Sequence, residues 1–168
     1  MVFRKYFNLA IPLTIAALAL SACIGDNLHS AKHTDTLSDA LWELAKGAEE
    51  ANDYEKAASY YDRLYQRHSQ NKFALLGYAR NLRYLGLAKN AIKTLKSWKA
   101  KDTDLDIKIE LGKAQLAASS INDALLTFKQ IVENDPTKWE AHSALGIIYD
   151  RLIDFNAAHI SYQRALKL

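Results

Sequence analysis

The side chains that could do chemistry here are few, and their spacing says what that chemistry would be. Arg80 and Arg83 lie three residues apart, with Phe73 and Tyr84 nearby and Trp42 further upstream. A guanidinium grips a carboxylate with two parallel hydrogen bonds while its plane stacks on an aromatic ring, so this set suits an acidic, partly apolar peptide. His29 and His33 are four apart, a spacing that zinc ligands use on a helix, but no third ligand is near and the segment is a poor helix former. His68, His142 and His159 are isolated. The sequence has no glycine-rich phosphate loop, no His-Glu-x-x-His, no Cys-x-x-Cys and no nucleophile elbow. These absences argue against an enzyme, a cofactor, a metal and a small-molecule substrate. Cys23 is the single cysteine, so no internal disulfide is possible and packing alone must hold the fold.

The elements that must position these groups are helices. In Ser143–Leu166, Leu145, Gly146, Tyr149 and Leu152 share one helical face, a polar turn follows at Ile153-Asp154, and Phe155, Ala158, Tyr162, Ala165 and Leu166 share a second face. Gly146 and Ala158 are small enough for two backbones to approach, with Tyr149 and Tyr162 filling the space around them. This hairpin recurs along the chain. Asp154-Phe155-x-x-Ala158 with Tyr162 matches Asp53-Tyr54-x-x-Ala57 with Tyr61, Leu87-Ala88-x-x-Ala91 with Leu95, and Ser120-Ile121-x-x-Ala124 with Phe128. The four alanines are spaced 34, 33 and 34 residues apart. Small residues also recur upstream, in Leu44-Ala45, Tyr78-Ala79, Leu111-Gly112 and Leu145-Gly146. Asp53, Asp104 and Asp154 are expected helix caps, with Ser38 capping the first helix and Ser120 opening another with Asp123.

A helix–turn–helix unit of about 34 residues resembles the tetratricopeptide repeat (TPR). The likeness runs over Ser38–Asn71, Lys72–Asp104, Leu105–Lys138 and Trp139–Leu168, and Pro136 sits where such repeats often place a helix breaker. It implies an all-α fold, a right-handed α-solenoid of antiparallel TPR helix pairs. The chain departs from the pattern where the family's first-helix tryptophan is replaced by Leu41, Leu75, Lys108 and His142, and where Asn52 and Ser119 replace the turn glycine that Gly86 retains.

Such units line a concave groove with their first helices. That phase turns Trp42, Lys46 and Glu49 toward the groove, then Phe73, Leu76, Arg80, Arg83 and Tyr84, then Ile109, Lys113 and Leu116, then Ser143, Ile147 and Asp150. Trp42, Lys46, Phe73, Arg80, Arg83, Tyr84 and Lys113 are the candidate partner-binding residues. For Trp42 and Phe73, shielding of neighbouring helices is the alternative. As exposed charges, the two arginines are expected to matter to a partner and little to the fold. Lys89, Lys93 and Lys96, continued by Lys99 and Lys101, form a basic stripe that reads as a solvated outer face. The last residue, Leu168, is expected to fall within the final second helix, leaving Tyr162, Leu166 and Leu168 uncovered.

Residues 1–22 carry Arg4 and Lys5, no acid, and an apolar run over Leu9–Leu20 that is short for a membrane span. Without them the net charge of +3 falls to +1, which is no footprint for nucleic acid. Leu20-Ser21-Ala22-Cys23 resembles the bacterial lipobox, which implies cleavage before Cys23 and its lipidation. Ile24 after the cysteine implies sorting to the outer membrane, facing the periplasm. Ile24–Thr36 then reads as a polar tether reaching about 40 Å at about 3.3 Å per residue, and 37–168 as the repeat domain. Ala79–Ile92 and Ala144–Leu166 are similar to the TadD-type proteins of tight-adherence (Flp) pilus systems. That resemblance implies a lipid-anchored periplasmic scaffold that binds pilus or secretin assembly proteins, with neither nucleic acid nor small-molecule substrate. A type IV pilus pilotin, a β-barrel-assembly component and a peptidoglycan-hydrolase adaptor are the alternatives.

Overall fold

The computed structural model describes residues 35–98 and 104–168. The expectations for the leader, Cys23, His29, His33, Lys99 and Lys101 concern residues outside these. Among the described residues there are eight helices and no strand. They are α1 (Thr36–Glu50), α2 (Tyr54–Arg67), α3 (Lys72–Tyr84), α4 (Ala88–Lys96), α5 (Leu105–Ala117), α6 (Ile121–Asn134), α7 (Trp139–Arg151) and α8 (Phe155–Leu166). Consecutive helices pack on one another throughout.

Side-chain caps set most of the helix starts. The carboxylates of Asp53, Asp104 and Asp154 accept backbone N–H groups in the first turns of α2, α5 and α8, and Asn71 does the same for α3. Two expectations need correction. Ser38 does not cap α1; Asp35 does, accepting the Ser38 hydroxyl at 2.6 Å and its backbone N–H at 3.3 Å. Arg67 and His68 from the end of α2 reach the same carboxylate at 3.1 and 2.8 Å, which ties the start of α1 to its partner helix. Hydrogen bonds from Ser38 and then His68 hold the Asp35 carboxyl well below the usual carboxylate range. Ser120 stands before α6, yet its side chain makes no capping hydrogen bond.

Within each helix pair the chain reverses through one residue of positive φ: Asn52 (56°), Gly86 (76°), Ser119 (59°) and Ile153 (63°). The N–H three places past the helix then reaches back to a carbonyl in its last turn, as from Asp53 to Ala48 at 2.8 Å and from Asp154 to Tyr149 at 2.9 Å. This closure needs the left-handed conformation whichever residue supplies it. Glycine adopts it freely and Asn tolerates it, but for a β-branched residue it is strained. Ile153 is also 75% exposed, so its side chain recovers little by packing.

The spaced alanines lie where the helices of each pair meet. Ala57, Ala91 and Ala124 are fully buried and Ala158 nearly so. Each core also joins successive units: Ala124, Phe128 and Ile131 of α6 pack with Ala141, Leu145 and Ile148 of α7. Aromatic rings of the second helices lie directly on first-helix glycines. A Cβ on Gly112 would sit 2.6 Å from the Phe128 ring, and one on Gly146 would overlap the Tyr162 ring. Gly77 stands in the same relation to Tyr61, but there the ring comes from the preceding pair, because Ala45 occupies the matching place in its own. Tyr162 is therefore half-buried rather than uncovered, and its hydroxyl donates to Asp150 at 2.7 Å. Leu168 lies beyond α8 rather than within it.

These contacts and turns set the expected stability of three variants. Gly112→Ala improves helix propensity by about 1 kcal/mol, but the clash with a fully buried ring costs about 1–3 kcal/mol, so the variant should lose stability. Gly47→Ala, in α1 with nothing within 4 Å of the new Cβ, should gain up to about 1 kcal/mol. Ile153→Gly should gain about 1 kcal/mol by relieving the left-handed strain. Urea unfolding of the three variants checks all the signs; a gain in Gly112→Ala would refute the ring contact.

Candidate protein-binding groove

Helix α3 packs on α5 and α5 on α7, while no second helix makes a comparable contact with another second helix. From α3 to α7 the first helices thus lie closer together than the second helices, which is the arrangement of a curved stack with the first helices on its inner side. Trp42 and Lys46 of α1, Phe73, Arg80, Arg83 and Tyr84 of α3 and Lys113 of α5 all fall on this series.

The arginines are not free cations. Arg80 grips Glu49 with Nε at 3.1 Å and Nη2 at 2.8 Å to one oxygen and 3.0 Å to the other. Glu49 also accepts the Tyr61 hydroxyl at 3.1 Å and the Asn81 side-chain amide at 2.7 Å. One carboxylate therefore joins α1, α2 and α3. Burial opposes the charge of Arg80, but the hydrogen bonds and charge of Glu49 prevail and raise its pKa. Burial, then Glu49, pushes the Tyr61 hydroxyl up to about 12. Arg83 donates from Nε to Glu110 on α5 at 2.9 Å, and Glu110 is only 7% exposed. The expectation that both arginines are exposed and of little weight in the fold is corrected by these pairs. Each joins neighbouring units.

The other candidates divide. Trp42 is half-buried, edge-on to Tyr61 with centroids 5.7 Å apart, and packs beside the core of Leu41, Leu64 and Ala74, so shielding is part of its work. Phe73 is 64% exposed, with the Lys72 ammonium 5.6 Å from its ring centre. Tyr84 is half-exposed, with the Arg83 guanidinium 4.6 Å from its ring and Tyr54 4.8 Å away on tilted planes. Lys46 lies 3.7 Å from Glu43. Lys113 is exposed and makes no ion pair among the described residues. Trp42 and Phe73, with Ser38, Asp39, Leu64 and Asn71, line an open hollow of about 250 Å³. It is wide enough for one large side chain.

Glu49 and Glu110 were not singled out as partners of the arginines in the sequence reading. The repeat register puts Glu49 one turn beyond the place in its unit that Arg80 holds in the next, which brings the pair near in register without fixing whether the two charges meet. Lys72 likewise pairs between units, reaching Asp104 at 3.3 Å and Asp106 at 2.8 Å, one place either side of the position it matches in the next unit. His142 accepts or donates at the Pro136 carbonyl, 2.9 Å away, and is half-buried. Lys89, Lys93 and Lys96 are exposed on the outer helix α4. Among the described residues no group of side chains could hold a metal, and no helix is long and apolar enough to cross a membrane.

Solved structures match this arrangement. TTC0263, a thermophilic TPR protein of Thermus thermophilus, superposes with a TM-score of 0.70 at 22% identity over 78% of this chain and 74% of that one. The chain has the tetratricopeptide-repeat fold. MamA (residues 41 to the end) from Desulfovibrio magneticus RS-1 gives 0.67 at 19% identity, covering 78% and 75%. YrrB, described as a TPR protein with an unusual peptide-binding site, gives 0.63 at 16% identity, covering 80% and 70%. No family model matches the chain, and no curated protein matches it in sequence. The all-α, right-handed solenoid of antiparallel TPR pairs expected above is the fold observed.

Removing Arg83 would leave Glu110 buried without its partner. Arg83→Ala should cost the fold about 3 kcal/mol, whereas Lys113→Ala should stay within about 0.5 kcal/mol. Equal thermal midpoints for the two variants, followed by circular dichroism, would contradict the structural role of Arg83.

Proposed function

We propose that the first-helix face of this TPR solenoid binds segments of protein partners, and that the chain does so from a lipid anchor in the bacterial envelope. The observation that carries the reading is the exposure of Phe73, Tyr84 and Ile147 on one series of helices, beside the hollow lined by Trp42. Large apolar side chains on an inner solenoid face are binding anchors. Because Arg80 and Arg83 already hold Glu49 and Glu110, the favoured partner is a largely apolar or aromatic segment rather than a strongly acidic one. Lys113 is the cation left to meet a carboxylate on that segment. The peptide-binding character of YrrB, a structure of the same fold, accords with this mode of action. Binding rather than catalysis is the activity proposed.

The finer reading rests on the sequence. The lipobox-like Leu20-Ser21-Ala22-Cys23 supports outer-membrane anchoring through Cys23, and the likeness of Ala79–Ile92 and Ala144–Leu166 to TadD-type proteins supports a role in assembling a tight-adherence (Flp) pilus, with secretin or pilus subunits as partners. In cells given labelled palmitate, the wild-type chain should take up label and Cys23→Ser should not. For the groove, full-length chain is titrated with tiled 15-residue peptides from the periplasmic segments of secretin and pilus subunits of a tight-adherence system. Phe73→Ala with Ile147→Ala should weaken the best peptide at least tenfold, and Lys89→Ala with Lys93→Ala should not. Loss in the lysine variant alone would move the site to the outer face and overturn the groove assignment.

A further inference from the structure

The repeat register exposes a second surface, one that the groove does not use. In the second, third and fourth pairs, one face of the first helix is covered by the second helix of the pair before it. At that face Ala74, Asn81 and Leu82 are buried in α3, Ile107, Ala114 and Gln115 in α5, and Ala141, Leu145 and Ile148 in α7. The matching residues of α1 are Ala40, Leu44, Gly47 and Ala48. There Ala40 and Gly47 are exposed and Leu44 is 51% exposed. With Ala51 and Tyr60 they line an apolar depression of about 650 Å³. Among the described residues no helix lies over it; its shape is that of a unit interface, and the helix it fits is a second helix of this same repeat.

Helix α8 presents the complementary half. The covering residues of the inner second helices include Tyr65 of α2 and Val132 of α6, each packed against the next unit's core. Leu166 holds the same place in α8 and is 88% exposed. Charge agrees with the register. Glu49 of the first unit pairs with Arg80 of the second, and the same two places are held by Asp150 in the fourth unit and Lys46 in the first. Both are exposed, and Lys46 holds only the longer contact to Glu43.

We infer that the α8 edge of one copy of this chain docks on the α1–α2 edge of another, continuing the superhelix from molecule to molecule. The contact is heterologous, so it propagates into chains instead of closing on a two-fold axis. Each molecule added would extend the first-helix face by four units.

Sedimentation of the full chain over a range of concentrations tests this. The wild-type mass should rise with concentration past that of a dimer. Leu44→Glu and Leu166→Glu, each at an exposed position, should weaken association at least tenfold with unchanged circular dichroism. Mixed in equal amounts, the two variants should form a one-to-one dimer that grows no further, because each retains the edge the other lacks. Asp150→Lys or Lys46→Glu alone should weaken association, and both together in one chain should recover it. A monomer at every concentration overturns the inference. So does pairing abolished by only one of the two leucine substitutions, the mark of a two-fold contact. Association untouched by either, as contact through residues 1–34 would give, overturns it as well.

Discussion

The structure depends on how closely two helix backbones can approach where an aromatic ring lies between them. Phe128 on Gly112 and Tyr162 on Gly146 are the same contact one period apart, and Tyr61 on Gly77 is its variant across a unit boundary. In each case a first helix gives up a side chain so that a second-helix ring can take its volume. The spaced alanines provide the matching clearance on the second helix. An isolated pair could not bury both its faces, so the rings and alanines hold the stack together only when each unit covers the next.

Charge is arranged under the same constraint. Neighbouring first helices are near enough for side chains of adjacent units to meet, and the groove's arginines are drawn into those meetings. Glu49 takes donors from three residues on two other helices, and so stands at the junction between the first pair and the second. The consequence for recognition is a change of character. A face that reads in sequence as arginine-rich is in space largely neutralised, with rings and aliphatic side chains as its free features. Lys113 stays unpaired because no acid of a neighbouring unit reaches it among the described residues.

The turns show where one sequence departs from an ideal repeat at a local cost. All four reversals require positive φ, yet only Gly86 is a glycine. Ile153 adopts the conformation because the hydrogen bonds that close α7 and the packing of α7 on α8 leave no other path. Tertiary packing prevails there over the preference of a single residue.

Much of the fold was legible along the chain, because periodicity is a local property: alanines 34, 33 and 34 apart, small residues at Gly112 and Gly146, and aspartates ahead of α2, α5 and α8 all name their structures without reference to distant residues. The first-helix face was legible for the same reason, since repeat phase alone assigns Trp42, Phe73, Tyr84 and Lys113 to it. What the residues on that face do was not. Arg80 and Glu49 are 31 residues apart, Arg83 and Glu110 27, and whether such charges meet or stay in water depends on the angle between successive units. Likewise the burial of Tyr162 rests on Gly146, and the tie of Asp35 to the end of α2 on Arg67 and His68, groups distant from them in sequence. Sequence determined the helices and their order; only tertiary structure decided which polar and aromatic groups remain free, because that depends on ångström-scale distances between units that no periodicity encodes.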